Sequence, residues 1–252
     1  MNRFRLKHVL FLCASFFLSP VPGTLGQEQS TDAVVLFHRG FTHQQEGRID
    51  EAIADYSNAL EIKPDYAEVY NNRGLLHARQ GRIEEAITDY SRAVEINWDY
   101  AEAYNNRGMA YSVQKRMDEA IADYNKALEI KAQYPEAFNN RGFAHAKKGL
   151  LDEAIADYGA ALDLNPSFVL ALTNRGAAYE EKGLFDEALA DFSRVIEINP
   201  NSAGAFNNRA VVFFRKGKIE EAREDVEKAQ SLGFKVNPEF LKILRQAGGK
   251  KK

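Results

Sequence analysis

Asn71-Asn72-Arg73-Gly74 (NNRG) returns unchanged at Asn105–Gly108 and Asn139–Gly142. Near copies stand at Phe37–Gly40 (FHRG), Thr173–Gly176 (TNRG) and Asn207–Ala210 (NNRA), each 34 residues from the last. A fixed period of this length signals an array of one small unit. Such a unit is too short to bury its own apolar face and must stack on copies of itself. Counted from Ala33, the units are 33–66, 67–100, 101–134, 135–168, 169–202 and 203–236, without an insertion.

Each unit carries the punctuation of two antiparallel helices. In the second, Ala67 to Gln80 reads as a helix, and Gly81 supplies the left-handed residue that ends it. Glu84 and Glu85 then open a second helix, where acids favour the positive end of the dipole, running to about Ile96. Gly47, Gly149, Gly183 and Gly217 repeat the hinge, and Lys115 breaks it. Pro64, Pro166 and Pro200 close their units, with Trp98 and Ala132 in that place elsewhere. Ala52, Ala86, Ala120, Ala154, Ala188 and Ala222 keep one place small where the two helices approach.

The pattern Tyr70, Gly74, His77, Ala86, Tyr90 and Ala93 resembles the tetratricopeptide repeat, and the resemblance covers 33–236. It implies an all-α fold: a right-handed superhelical solenoid of six helix-turn-helix units. Asn237-Pro238 reads as an N-cap followed by proline at the first helical position. Phe240, Leu241, Ile243 and Leu244 give an apolar face to a C-terminal capping helix over 237–247, and 248–252 (GGKKK) is expected to be a frayed, disordered basic tail.

Ahead of the repeats, residues 1–26 read as an export signal. Arg3, Arg5 and Lys7 precede the apolar run Val9–Leu18, which is short for a bilayer span and suits a signal-peptide core. Cleavage after Gly26 is the first choice and after Gly23 the second, leaving 27–32 as a short lead. Leu12 stands where a lipidated Cys13 would want a small residue. The expected product is an exported protein, periplasmic in a bacterium and otherwise secreted, with no stable membrane span. The whole chain holds 33 Lys and Arg against 36 Asp and Glu. That balance argues against nucleic acid, whose phosphates call for an excess of cations.

One departure from the family recurs in every unit. The place before the helix-A glycine, usually Leu, is Arg39, Arg73, Arg107, Arg141, Arg175 and Arg209. The place before the helix-B aromatic is Asp55, Asp89, Asp123, Asp157, Asp191 and Asp225. Two apolar places exchanged together for a cation and an anion predict bidentate bridges such as Arg73–Asp89, Arg107–Asp123 and Arg141–Asp157, within a unit or to its neighbour. A row of arginines binding anions is the rival.

Signals for catalysis are poor: no phosphate loop, CxxC, HExxH or GxSxG is present. His43, His77 and His145 fall in the place held by Tyr111, Tyr179 and Phe213, and so read as packing residues rather than metal ligands. No catalytic residue, metal or cofactor is expected. The candidate site is a surface. On the first helix of the second unit, Glu68, Asn72, Leu75 and Arg79 share one side at ~100° per residue. The resemblance implies that this side lines a concave groove, as with the asparagine ladder of O-linked N-acetylglucosamine transferase and the asparagine of many peptide-binding members. Asn72, Asn106, Asn140, Asn174 and Asn208 occupy the sixth place, and an amide can pair with any peptide bond. Leu75, Met109 and Phe143 form an apolar floor, with Phe41 on the same side. Members that clamp a C-terminal carboxylate carry lysines where this chain has Glu68, Glu102 and Glu136 or Asn71, Asn105 and Asn139. The expected partner is therefore a neutral or basic extended protein segment, held by a non-catalytic scaffold. The alternatives are a self-associating module forming a homo-oligomer and an unrecognised envelope hydrolase.

Overall fold

The computed structural model describes residues 22–248, with side chains for 31–247. Most of the expected signal segment, 1–21, and the tail 249–252 lie outside the described residues. The chain forms two compact units, divided after Pro64.

The first unit holds α1 (Pro22–Gln45) and α2 (Ile49–Ile62) as a packed hairpin. The segment 27–32, read as a lead, is part of α1. The second unit holds five hairpins: α3 (Ala67–Arg79) with α4 (Ile83–Ile96), α5 (Ala101–Val113) with α6 (Met117–Ile130), α7 (Pro135–Lys147) with α8 (Leu151–Leu164), α9 (Val169–Lys182) with α10 (Phe185–Ile198), and α11 (Ala203–Arg215) with α12 (Ile219–Ser231). A final helix, α13 (Pro238–Gly248), follows.

Glycine turns close the hairpins at φ of +75° to +78°, a region that costs an L side chain ~1 kcal/mol or more. Where the sequence offers Lys115, the hinge survives: the lysine itself adopts φ +63°. The expectation that Lys115 breaks the hinge is thus corrected, because the flanking helices impose the turn. The six recurrent alanines are fully buried, and beside them Tyr56, Tyr90, Tyr124, Tyr158 and Phe192 are at most 1% exposed. These rings lie against the helix-A glycines so closely that a Cβ on Gly108 would stand 2.7 Å from Tyr124 Cε1. The sixth copy has Ala210 instead, and there Val226 replaces the ring.

In the second unit each second helix packs on the first helix of the next hairpin. The first helices also touch one another along the row (α3–α5, α5–α7, α7–α9, α9–α11), whereas the second helices make no comparable contact. The first helices therefore line the tighter side of the stack. At its end, α13 covers the last hairpin through Leu244, Phe240 and Leu241 against Phe206, Val226 and Val236. Asn237 caps it, Oδ1 accepting from the backbone N–H groups of Glu239 (2.8 Å) and Phe240 (3.4 Å).

Candidate functional site

The arginine and aspartate rows meet within each hairpin. Arg107 Nε and Nη2 donate to Asp123 Oδ2 and Oδ1, both at 2.7 Å. Arg73 makes the same fork to Asp89 at 2.9 and 2.7 Å, and Arg141 binds Asp157 through Nε and Nη2. The third nitrogen reaches the preceding hairpin: Arg107 Nη1 donates to Ser91 Oγ at 3.2 Å, Arg141 Nη1 to Asn125 Oδ1 at 2.7 Å and Arg209 Nη1 to Ser193 Oγ at 3.0 Å. Gly159 occupies that place before Arg175 and offers no side-chain oxygen. Arg107 also lies over the rings of Tyr104 (5.5 Å) and Tyr111 (5.9 Å). Hydrogen bonding to Asp123 raises its pKa against the pull of burial. With its fork held by a carboxylate and its third nitrogen by the neighbour, this arginine has little left to offer a free anion.

Three histidines in the aromatic slot do more than pack. His145 Nδ1 lies 2.9 Å from Asp157 Oδ2, His43 Nδ1 3.2 Å from Asp55 Oδ2, and His77 Nε2 3.6 Å from Asp89 Oδ2. Burial lowers the His77 pKa, opposed by the Asp89 charge.

The two asparagine rows divide. Asn71, Asn105 and Asn139, at the fifth place, are buried, while Asn72, Asn106, Asn140, Asn174 and Asn208 are half-buried. Each buried amide receives a bond from the next hairpin: Asn106 Nδ2 donates to Asn71 Oδ1 (2.9 Å), Asn140 to Asn105 (3.0 Å) and Asn174 to Asn139 (3.0 Å). Asn139 Nδ2 donates to Asn140 Oδ1 at 3.4 Å. Asn208 has no such anchor: its predecessor at the fifth place is not an asparagine but Thr173, whose Oγ1 donates to Val169 O. Sequence reasoning did not foresee this zipper. A run of paired Asn at two adjacent places in successive units was its available signal. The bond uses one of the two N–H donors of Asn106, Asn140 and Asn174 and fixes the plane of each amide.

The same helix faces carry the apolar side chains. Met109 is 47% exposed, Phe143 40% and Val113 66%, whereas Leu75 is half-buried. Lys147 Nζ lies 5.0 Å from the centre of the Phe143 ring. Between the second and third repeats, Leu75, Ile83, Met109, Ala110 and Val113 wall a cavity of about 300 Å³, with Tyr90 and Asn106 also in its lining. On the N-terminal side, Glu68, Glu102 and Glu136 are exposed, and Glu102 binds Lys131 (2.9 Å), which lowers its pKa. Among the described residues no group of three or more His, Cys, Asp or Glu could hold a metal ion, and no helix is long and apolar enough to cross a membrane.

A profile described as TPR repeat matches residues 40–81, 78–115, 113–149 and 146–183, and profiles described as tetratricopeptide repeat match 169–202 and 192–224. The chain belongs to the tetratricopeptide repeat family. No protein with a curated description matches. Among solved structures, the chain is similar to YrrB, described as a TPR protein with an unusual peptide-binding site, at 29% identity and TM-score 0.60, covering 71% of this chain and 92% of that one. It is similar to MamA at 28% identity and TM-score 0.61, covering 71% and 96%. PilW, described as a widely conserved type IV pilus biogenesis factor, shares the fold at 20% identity and TM-score 0.75, covering 84% and 98%.

Proposed function

We propose that this protein is a non-catalytic scaffold that holds an extended segment of a partner protein along the first-helix face of its repeats. The observation that carries this reading is the row of exposed Met109 and Phe143 beside half-buried Asn106 and Asn140. Apolar groups left in water next to oriented amides suit a ligand that offers both a main chain and apolar side chains. One donor of each of Asn106, Asn140 and Asn174 serves the stack, and the second N–H of each serves the ligand, joined by the carbonyls of Asn106 and Asn174. Glu68, Glu102 and Glu136 favour a neutral or basic segment. YrrB, whose description names a peptide-binding site, adds support from a relative of similar repeat architecture.

A random peptide library displayed on phage and selected on the full chain tests this. The expected result is a family of peptides whose binding falls at least tenfold on Met109→Asp with Phe143→Asp, a variant altered only at exposed positions. Peptides that bind this variant as they bind the wild type contradict the reading. Export is the second part of the proposal and rests on the apolar run Val9–Leu18 behind three cations. Sequencing the N-terminus of protein recovered outside the cytoplasm should begin at Gln27 or Thr24; a start at Met1 overturns it.

A further inference from the structure

The tip of the buried helix-B tyrosine meets a hydrogen-bonding side chain in some hairpins and none in others, and the difference locates a side-chain site. Tyr56 donates its hydroxyl proton to Gln44 Oε1 at 2.9 Å, and the Tyr124 hydroxyl is 3.2 Å from Ser112 Oγ. The equivalent residue beside Tyr90 is Ala78, which has no polar atom to offer. The Tyr90 hydroxyl makes no side-chain hydrogen bond, and burial first, with the Asp89 charge second, pushes its pKa strongly upward against the pull of Arg79. The space a longer side chain would fill is the cavity of about 300 Å³ walled by Leu75, Ile83, Met109, Ala110 and Val113. Ala146 leaves the same gap beside Tyr158, but there the next hairpin presents Ala177 and Glu181 where Met109 and Val113 stand. The apolar wall forms here because Ala78, Met109 and Val113 coincide.

We infer that this cavity is the anchor subsite for one medium-sized apolar side chain, leucine or methionine, of an extended partner segment that carries lysine or arginine on the Glu68 side of it. The inference rests on the peptide-scaffold reading and adds its specificity. A volume of about 300 Å³ lies at the bottom of the range for small-molecule sites and suits a single side chain. Asn106 lies in the lining and reaches the main chain beside the anchor. Arg79 also lines the cavity and repels a cation placed inside it. The exposed carboxylate of Glu68 stands on the same helix face as Arg79, ~16 Å away by the rise of the helix, and attracts a cation outside the cavity, while Glu102 is already paired with Lys131. Apolar anchor and outlying cation are thus sorted along one face by charge.

The probes are blocked heptapeptides Ser-Lys-Ser-Xaa-Ser-Lys-Ser with Leu, Met, Ala or Lys at the centre, titrated into the full chain and followed by NMR shift changes. The wild type should bind the Leu and Met peptides at least tenfold more tightly than the Ala and Lys peptides. Ala78→Gln places in this hairpin the residue that already partners Tyr56, so it fills the cavity with a native arrangement. It should bring the Leu peptide down to the affinity of the Ala peptide and leave the latter unchanged. Val113→Lys, at a position 66% exposed, is the second variant and should do the same without touching the interior. A Leu preference that survives both variants, or is missing in the wild type, overturns the anchor assignment. The scaffold reading fails separately, when phage-selected peptides ignore Met109→Asp with Phe143→Asp.

Discussion

Arg107 joins three helices with one side chain: its own α5, Asp123 on α6 and Ser91 on α4. Asp123 is 8% exposed, so removing the cation strands a carboxylate in the interior. Breaking one partner of a buried pair costs ~3–5 kcal/mol, while replacing both partners with apolar groups is often neutral. Arg107→Leu should therefore lower thermal stability sharply, and Arg107→Leu with Asp123→Tyr should recover most of the loss, short of the Ser91 bond. Additive losses in the double variant count against the pair. His77 gives a second test at this scale. Its pKa in the folded chain is lowered, chiefly by burial, so the folded state binds fewer protons than the unfolded state once the pH falls below the ordinary histidine value near 6.5. Its stabilising contribution is complete above that pH and is lost as the pH falls towards the folded value. Denaturant titrations at pH 7.5 and 5.5 should show a smaller loss of stability in His77→Tyr than in the wild type. An equal or larger loss in the variant contradicts this assignment.

At the scale of the hairpin, helix B can approach helix A because Gly108 leaves room for the Tyr124 ring. Gly108→Ala places a methyl 2.7 Å from that ring and should cost ~1–3 kcal/mol, read as a shift in the denaturation midpoint. Gly108→Ala with Tyr124→Val reproduces the pair Ala210 and Val226 already used in the sixth repeat, and should be less destabilised than Tyr124→Val and Gly108→Ala summed. This level of the structure was legible in the sequence, because hinge glycines, small alanines and aromatic places act within one hairpin and recur at one period. The Arg–Asp relation left its trace in the same way, as two charges exchanged together in every copy. Whether the carboxylate lay in the same hairpin or the next was not readable, since both satisfy the period. The two asparagine rows were harder still. Asn71 and Asn72 are adjacent in sequence, and which of them is buried depends on how the following hairpin lies across the helix. The cavity at Tyr90 arises from a side chain too short to reach, and a missing atom leaves no motif. Lys115 was misread for the opposite reason: a poor residue for the left-handed turn is held there by two well-packed helices.

At the scale of the whole molecule, the repeats of the second unit present one row of oriented amides and apolar groups along the tighter side of the stack. The amides lock one hairpin to the next, and in the proposed scaffold they also offer their second N–H to a ligand. In the proposed scaffold this row of amides reads the main chain of a partner. The most direct measurement is the dissociation constant of one phage-selected peptide for the wild type and for Asn106→Ala with Asn140→Ala, with circular dichroism on both to verify the helices. Each lost bond to a ligand amide is worth ~0.5–1.5 kcal/mol, so the account predicts a double variant that stays folded at 20 °C, melts a few degrees lower and binds about fivefold to a hundredfold more weakly. A folded double variant that binds the peptide with undiminished affinity would show that these amides serve only the stack.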